Sequence, residues 1–136
     1  MANVDPSLNI SQAIAKMEDL IDVYRQGLMN NYFTYEGAQW DSDPQSITNI
    51  SGAVTIAMLN SGNLPAGFQW RDYNNNMHAV TGLYMYGMAA SYATFVTTAY
   101  GAAWEHKANI DAFTDPIACQ EYDYMSTLWP DPNTQY

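Results

Sequence analysis

The sequence predicts an α+β fold in which helices and hairpins alternate: helix, hairpin, helix, hairpin, long helix, then an irregular C-terminal tail. Three observations point to it. Apolar residues recur at three- and four-residue spacing over 9–30, 44–59 and 81–113. Two aromatic-rich stretches, 32–41 and 68–80, each fold about a turn-forming centre. Side chains suited to helix capping stand at the head of each helical run.

In the first run, Ile10, Ala13, Ile14, Met17, Leu20, Ile21, Tyr24 and Leu28 form one apolar face, with Asn9 or Ser11 as cap and Asn30-Asn31 as stop. Residues 1–8 before it read as an arm, mobile or ordered by a partner. Tyr32 to Tyr35 and Ala38 to Asp41 flank Glu36-Gly37 as a first hairpin. Pro44 suits a first helical turn, where its missing N–H has no helical acceptor to lose. Asp43 or Ser42 would cap that second helix, with Gln45 completing a capping box on Ser42. Ile47, Ile50, Val54, Ala57 and Met58 give its buried face, and Gly52 and Ala53 allow close helix approach. The second hairpin has Phe68 to Asp72 and Met77 to Val80 as strands, with the Tyr73 to Asn76 turn between them. Each hairpin alone is only marginally stable, so the two must pair with each other or lie on the helices.

Thr81 caps the third helix, which runs to Phe113 and at 1.5 Å per residue would be about 48 Å long. It carries two apolar stripes. Leu83, Tyr86, Ala90, Ala93, Thr97, Tyr100 and Trp104 form one; Met85, Met88, Tyr92, Phe95, Ala99, Ala102 and His106 form the other. A surface helix of a solitary domain needs one such stripe, so two predict packing on a second side by another chain. Asp115-Pro116 then breaks the helix. Residues 117–128 predict a short helical segment, and 129–136, with two prolines, an irregular end. The division is thus an arm at 1–8, a domain at 9–113 and an aromatic tail at 114–136. The tail either docks into a neighbour's grooves or folds back on its own domain. The contact residues the sequence selects are Tyr84, Tyr92 and Phe95 on the long helix and Tyr122, Tyr124, Met125, Leu128 and Trp129 in the tail.

The 136 residues carry 14 acidic and 4 basic side chains, a formal charge of −10. That makes nucleic acid and anionic membrane surfaces poor partners, since both need clustered Lys and Arg. A hydrophobic fraction of 48% with 14% aromatics argues against global disorder. No basic segment followed by an apolar run is present at the start, and no apolar stretch is long enough to span a bilayer. Cys119 is the only cysteine, so no intrachain disulfide forms, and it reads as a small buried hydrophobe.

Chemical motifs are absent. Asp41-Ser42-Asp43 lacks the glycine and glutamate of a calcium loop at the sixth and twelfth positions, which hold Ser46 and Gly52; helix capping explains it. His78 and His106 have no metal-ligand spacing, and His106 beside Glu105 reads as a hydrogen-bonded structural histidine. Asp41, Asp43, Asp72 and Glu105 offer carboxylates for a glycosidase pair only as any acidic chain does. Trp40 and Trp70 would serve a sugar-stacking site, though hairpin anchoring accounts for them. The sequence therefore predicts no enzyme, no catalytic residue, no metal and no cofactor.

Several short pieces follow one another in a suggestive order. They are Trp40-Asp41-Ser42-Asp43, Ser46 and Ile50 with the small Gly52 and Ala53, Phe68-Gln69-Trp70, the Asp72 to Asn76 turn, the Val80-Thr81 helix start, and Lys107-Ala108-Asn109-Ile110-Asp111. Their order and spacing, from Leu20 to Phe113, resemble a domain family of unknown function common in bacteriophage and prophage tail genes, often near tail-fibre and tail-fibre-assembly proteins. The resemblance implies a structural component of a tailed-phage virion, in the tail, adaptor or fibre-attachment region. It would be made in the bacterial host cytoplasm and packed against other virion proteins and copies of itself. A fibre-assembly chaperone, or a carbohydrate- or receptor-binding module, are the alternatives. The family pattern is tied to no catalytic site, and the aromatic tail lies outside it.

Overall fold

Asn9 and Gln12 open the first helix by exchanging bonds: the Gln12 amide donates to Asn9 Oδ1 at 2.9 Å and the Asn9 amide to Gln12 Oε1 at 3.0 Å. This reciprocal capping box starts α1 (Ile10–Met29). A computed structural model describes residues 3–136; the first two residues of the predicted arm lie outside it. The order is α1, β1 (Tyr32–Tyr35), β2 (Ala38–Asp41), α2 (Pro44–Leu59), β3 (Gln69–Arg71), β4 (Met77–Ala79), α3 (Gly82–Asp111) and α4 (Pro116–Gln120). This is the predicted α+β alternation, with a five-residue fourth helix at the start of the predicted tail. The chain divides into two compact units, 1–27 with 98–129 and 28–97 with 130–136. These units cut across the predicted arm, domain and tail.

In the unit of residues 28–97 and 130–136, β1 pairs antiparallel with β2, placing Phe33 opposite Trp40. Glu36 and Gly37 sit at φ 50° and 74°, the left-handed pair that a two-residue hairpin turn requires. β3 and β4 form a separate antiparallel pair, with Trp70 opposite His78. The two hairpins share no ladder; a backbone bond from the Tyr73 amide to the Gln39 carbonyl (2.7 Å) links them. Both lie on helices. Phe33 and Trp40 are buried with Ile50 and Ala53 of α2 and Met85, Met88 and Phe95 of α3. Asp43 caps α2 by accepting from the Ser46 amide and hydroxyl. The predicted box on Ser42 does not form: Gln45 donates to Asn49 instead, and Ser42 is buried with its hydroxyl unpartnered. α3 starts as predicted, with the Tyr84 amide on Thr81 Oγ1. Its first residue must be glycine, because a Cβ on Gly82 would lie 2.1 Å from the Gly62 carbonyl oxygen. Residues 132–135 run beside β1: Thr34 Oγ1 donates to the Pro132 carbonyl (2.8 Å), the Glu36 amide donates to Gln135 Oε1 (2.6 Å), and Thr34 and Gln135 form a parallel bridge.

In the unit of residues 1–27 and 98–129, Ala13, Met17 and Ile21 of α1 are buried with Ala103 and Ile110 of α3 and with Cys119 of α4. Asp115 caps α4. The predicted tail helix to Leu128 stops at Gln120. Asp123 accepts from the Met125 amide and the Ser126 hydroxyl, a local turn that competes with helix, and Leu128 adopts φ 74°. The predicted arm is also tied down over its described part. The Asp5 amide donates to Gln120 Oε1 at 2.8 Å, Gln120 Nε2 donates back to the Asp5 carbonyl at 3.0 Å, and Lys16 Nζ donates to the Asn3 carbonyl. Among the described residues, no helix is long and apolar enough to cross a membrane.

Candidate contact surfaces

The two stripes of α3 have opposite fates. In the unit of residues 28–97, Met85, Met88 and Phe95 are buried, while Leu83, Ala90, Ala93 and Thr97 are exposed. In the other unit, Ala99, Ala102 and His106 are buried and Trp104 is exposed. One stripe is core, as an amphipathic helix requires; in the other, Leu83, Ala90, Ala93, Thr97 and Trp104 are exposed while Tyr86 and Tyr100 are half-buried, Tyr100 under the Arg25 guanidinium.

This division corrects the long-helix contact residues. Phe95 is 1% exposed and belongs to the core. Tyr92 is half-buried against Phe33, and Tyr84 against Tyr35 and Trp40.

The tail folds back on its own chain, the second of the two outcomes the sequence leaves open. Tyr122, Tyr124 and Trp129 are half-buried against the α1–α3–α4 core. Tyr24 makes an edge contact with Tyr124 and a tilted one with Trp129. His106 is the anchor. Fully buried, it places Nδ1 2.8 Å from the Tyr122 hydroxyl and Nε2 2.9 Å from the Thr127 carbonyl, and its ring stacks on Trp129. The carbonyl can only accept, so Nε2 carries the proton; Asn109 donates to the Tyr122 oxygen, and that hydroxyl donates to Nδ1. Met125 and Leu128 alone of the tail candidates are exposed.

Sequence reasoning missed other exposed apolar side chains. Ile56, Met58 and Leu59 on α2 are exposed, Met58 having been assigned to the buried face, and so is Val23 on α1. The signal was present: no charged residue occurs between Asp43 and Arg71.

The polar groups form one further constellation. An open cleft of about 640 Å³ is lined by Thr34, Gln39, Asp72, Asn74, His78 and Asn133, among others. The buried Asp72 carboxylate takes His78 Nε2 at 2.7 Å and the amides of Asn74 and Asn76 at 2.8 and 2.9 Å. Burial opposes its ionisation, but these hydrogen bonds outweigh burial and hold Asp72 below the ordinary carboxylate value. The pair braces the β3–β4 turn. No nucleophile is set against it: Thr34 donates to Pro132, and Gln39, Asn74 and Asn133 bond one another. Of the other carboxylates weighed for catalysis, Asp43 is committed to capping and Asp41 is raised by burial and by the charges of Asp43 and Asp72. Trp40 is fully buried, its indole donating to the Tyr35 carbonyl, so it cannot stack on a sugar; Trp70 packs on Phe68. Burial raises the Cys119 thiol, which keeps it protonated and unreactive. Among the described residues no group of three His, Cys, Asp or Glu is placed to hold a metal ion.

A family model described as a domain of unknown function (DUF4376) matches residues 12–125. No curated protein and no solved structure matches the chain.

Proposed function

Because the chain belongs to the DUF4376 family, whose description names no activity, we propose a role from its surfaces: a structural component of a tailed-bacteriophage virion, in the tail, adaptor or fibre-attachment region, that works by packing against other proteins. The observation that carries the packing part is the exposed Leu83 and Trp104 of α3 together with the exposed Ile56, Met58 and Leu59 of α2. Large apolar side chains clustered on a surface favour contact with protein, since covering them gains about 25 cal/mol per Å². The virion setting rests on the resemblance to tail-gene domains. Both ends of the described chain are seated on the chain itself, so the contacts belong to helix faces rather than to ends that order on a neighbour.

Quantitative mass spectrometry of purified particles tests this reading. A fixed copy number per particle is expected. Absence from particles, with recovery bound to fibre protein in lysates, would replace the reading with an assembly chaperone.

A further inference from the structure

We propose that the cleft beside the two hairpins binds an uncharged carbohydrate, its hydroxyl groups met by the side chains of Gln39, Asn74, Asn76, His78 and Asn133. The inference goes beyond the packing role and does not depend on it. It also uses neither Trp40 nor Trp70, the residues the sequence offers for sugar stacking.

Segments far apart in the chain build this cleft. Thr34 and Gln39 come from β1 and β2, Asp72, Asn74, Asn76 and His78 from the β3–β4 hairpin, and Asn133 from the segment beside β1. The walls are tied together. The Tyr73 amide donates to the Gln39 carbonyl, and Asn74 Nδ2 donates to Gln39 Oε1 at 3.3 Å. Gln39 Nε2 and the Tyr32 hydroxyl both donate to Asn133 Oδ1 at 2.9 Å. The side chains are therefore positioned before a ligand arrives, which lowers the entropy lost on binding. A volume of about 640 Å³ falls within the range of small-molecule sites.

The bonds left over select the ligand. A carboxamide has two N–H donors and an oxygen with two lone pairs. After the internal bonds, Gln39, Asn74 and Asn133 each keep an N–H, and the oxygens of Gln39 and Asn74 keep lone pairs. Among the described residues Asn76 bonds through its backbone only, so its whole carboxamide is open. His78 gives its Nε2 proton to the Asp72 carboxylate, which leaves Nδ1 of the neutral ring an acceptor. Donors and acceptors thus stand intermixed around one cleft. A hydroxyl both donates and accepts, so a molecule carrying several of them meets such a set. Asp72 disfavours ions of either sign. Three hydrogen bonds occupy its buried carboxylate, which makes it a poor cation ligand, and its charge repels an anion. The exposed Tyr73 ring packs on Tyr32 at 4.7 Å, and the Tyr32 hydroxyl reaches Asn133, so an aromatic pair borders the cleft. It offers an apolar surface to the C–H face of a sugar ring.

The test is NMR on the full isotope-labelled chain, following the side-chain amide signals of Gln39, Asn74, Asn76 and Asn133. Neutral oligosaccharides of glucose, mannose, galactose and N-acetylglucosamine are added to about 10 mM, past the millimolar range of weak recognition. At least one is expected to shift these signals saturably, equally at low and high NaCl because no ion pair forms. Asn76→Ala should weaken binding roughly tenfold, about the worth of one hydrogen bond, with an unchanged urea midpoint because that side chain holds nothing in the fold. Asn49→Ala, exposed on α2, should leave binding as it is. No shift with any of these sugars overturns the proposal, and so does full binding by Asn76→Ala, which places the sugar elsewhere. A shift with an uncharged Gly-Ser peptide and not with sugars would make the cleft a reader of peptide groups and overturn it too. Sugar binding by a chain absent from purified particles would leave this inference standing and remove the virion role.

Discussion

Removing residues 115–136 should unfold the unit built on α1, the end of α3 and α4. The deletion takes away Cys119, which is fully buried, and the half-buried Tyr122, Tyr124 and Trp129. Full burial of a large apolar side chain is worth about 1.5–3 kcal/mol, so three half-buried aromatics and one cysteine amount to roughly 3–5 kcal/mol. Met17, Ile21 and Ile110, each no more than 2% exposed, lose part of their cover, which adds roughly 2–3 kcal/mol on the same scale. The sum rivals the whole stability of a small domain, about 5–15 kcal/mol. Urea titrations followed by far-UV circular dichroism measure the loss, as a lower midpoint and missing helical signal before urea is added. An unchanged midpoint with full helical signal would refute the reasoning and restore the tail as a detachable segment. Tyr122→Phe isolates the anchor. It removes only the hydroxyl that donates to His106 Nδ1, leaving a buried acceptor unmet at a cost of about 1–3 kcal/mol.

Other outcomes follow from single sites. Asp72 has its carboxyl held below the ordinary 3.8, so its contribution is complete above that value and is lost as pH falls through the lower folded value; Asp72→Asn should flatten the stability–pH curve below about pH 4, read from urea midpoints. Gly82→Ala should cost more than 2 kcal/mol, about the range of overpacking against rigid backbone, because the Gly62 carbonyl must move. Gly101→Ala, whose Cβ meets nothing, should instead stabilise by about 0.5–1 kcal/mol, and thermal melts of the two variants should move in opposite directions. Ser42→Ala should raise stability by about 1 kcal/mol, since it deletes a buried hydroxyl with no partner; a fall in the urea midpoint would show that the hydroxyl is satisfied.

Local chemistry was legible in the sequence. The first hairpin falls at the predicted residues because an aromatic run on either side of Glu-Gly specifies both strands and turn. The caps at Asn9, Asp43 and Thr81 were readable because each bonds within three residues. What was not legible depends on distant residues. His106 was read beside Glu105, its sequence neighbour, yet its partners are Tyr122 and Thr127. The Asp72–His78 brace spans a turn whose closure brings the pair together, and no spacing rule marks it. The two stripes of α3 were found, but not which would face inward. Tyr92 and Phe95 were chosen from the stripe that turned inward, whereas the other stripe left Leu83 and Trp104 exposed beside the small Ala90, Ala93 and Thr97. Periodicity alone assigns no direction, since both stripes repeat alike.

The peptide lying along β1 has one more effect. β2 occupies one flank of that strand, and residues 132–135 occupy the other, satisfying the Thr34 hydroxyl and the Glu36 amide. A short aromatic strand with an open flank is a template for strand addition, the route by which foreign or identical chains zip together into fibrils. Here residues 132–135 already lie on that flank, so β1 offers no free edge on this side to an incoming strand.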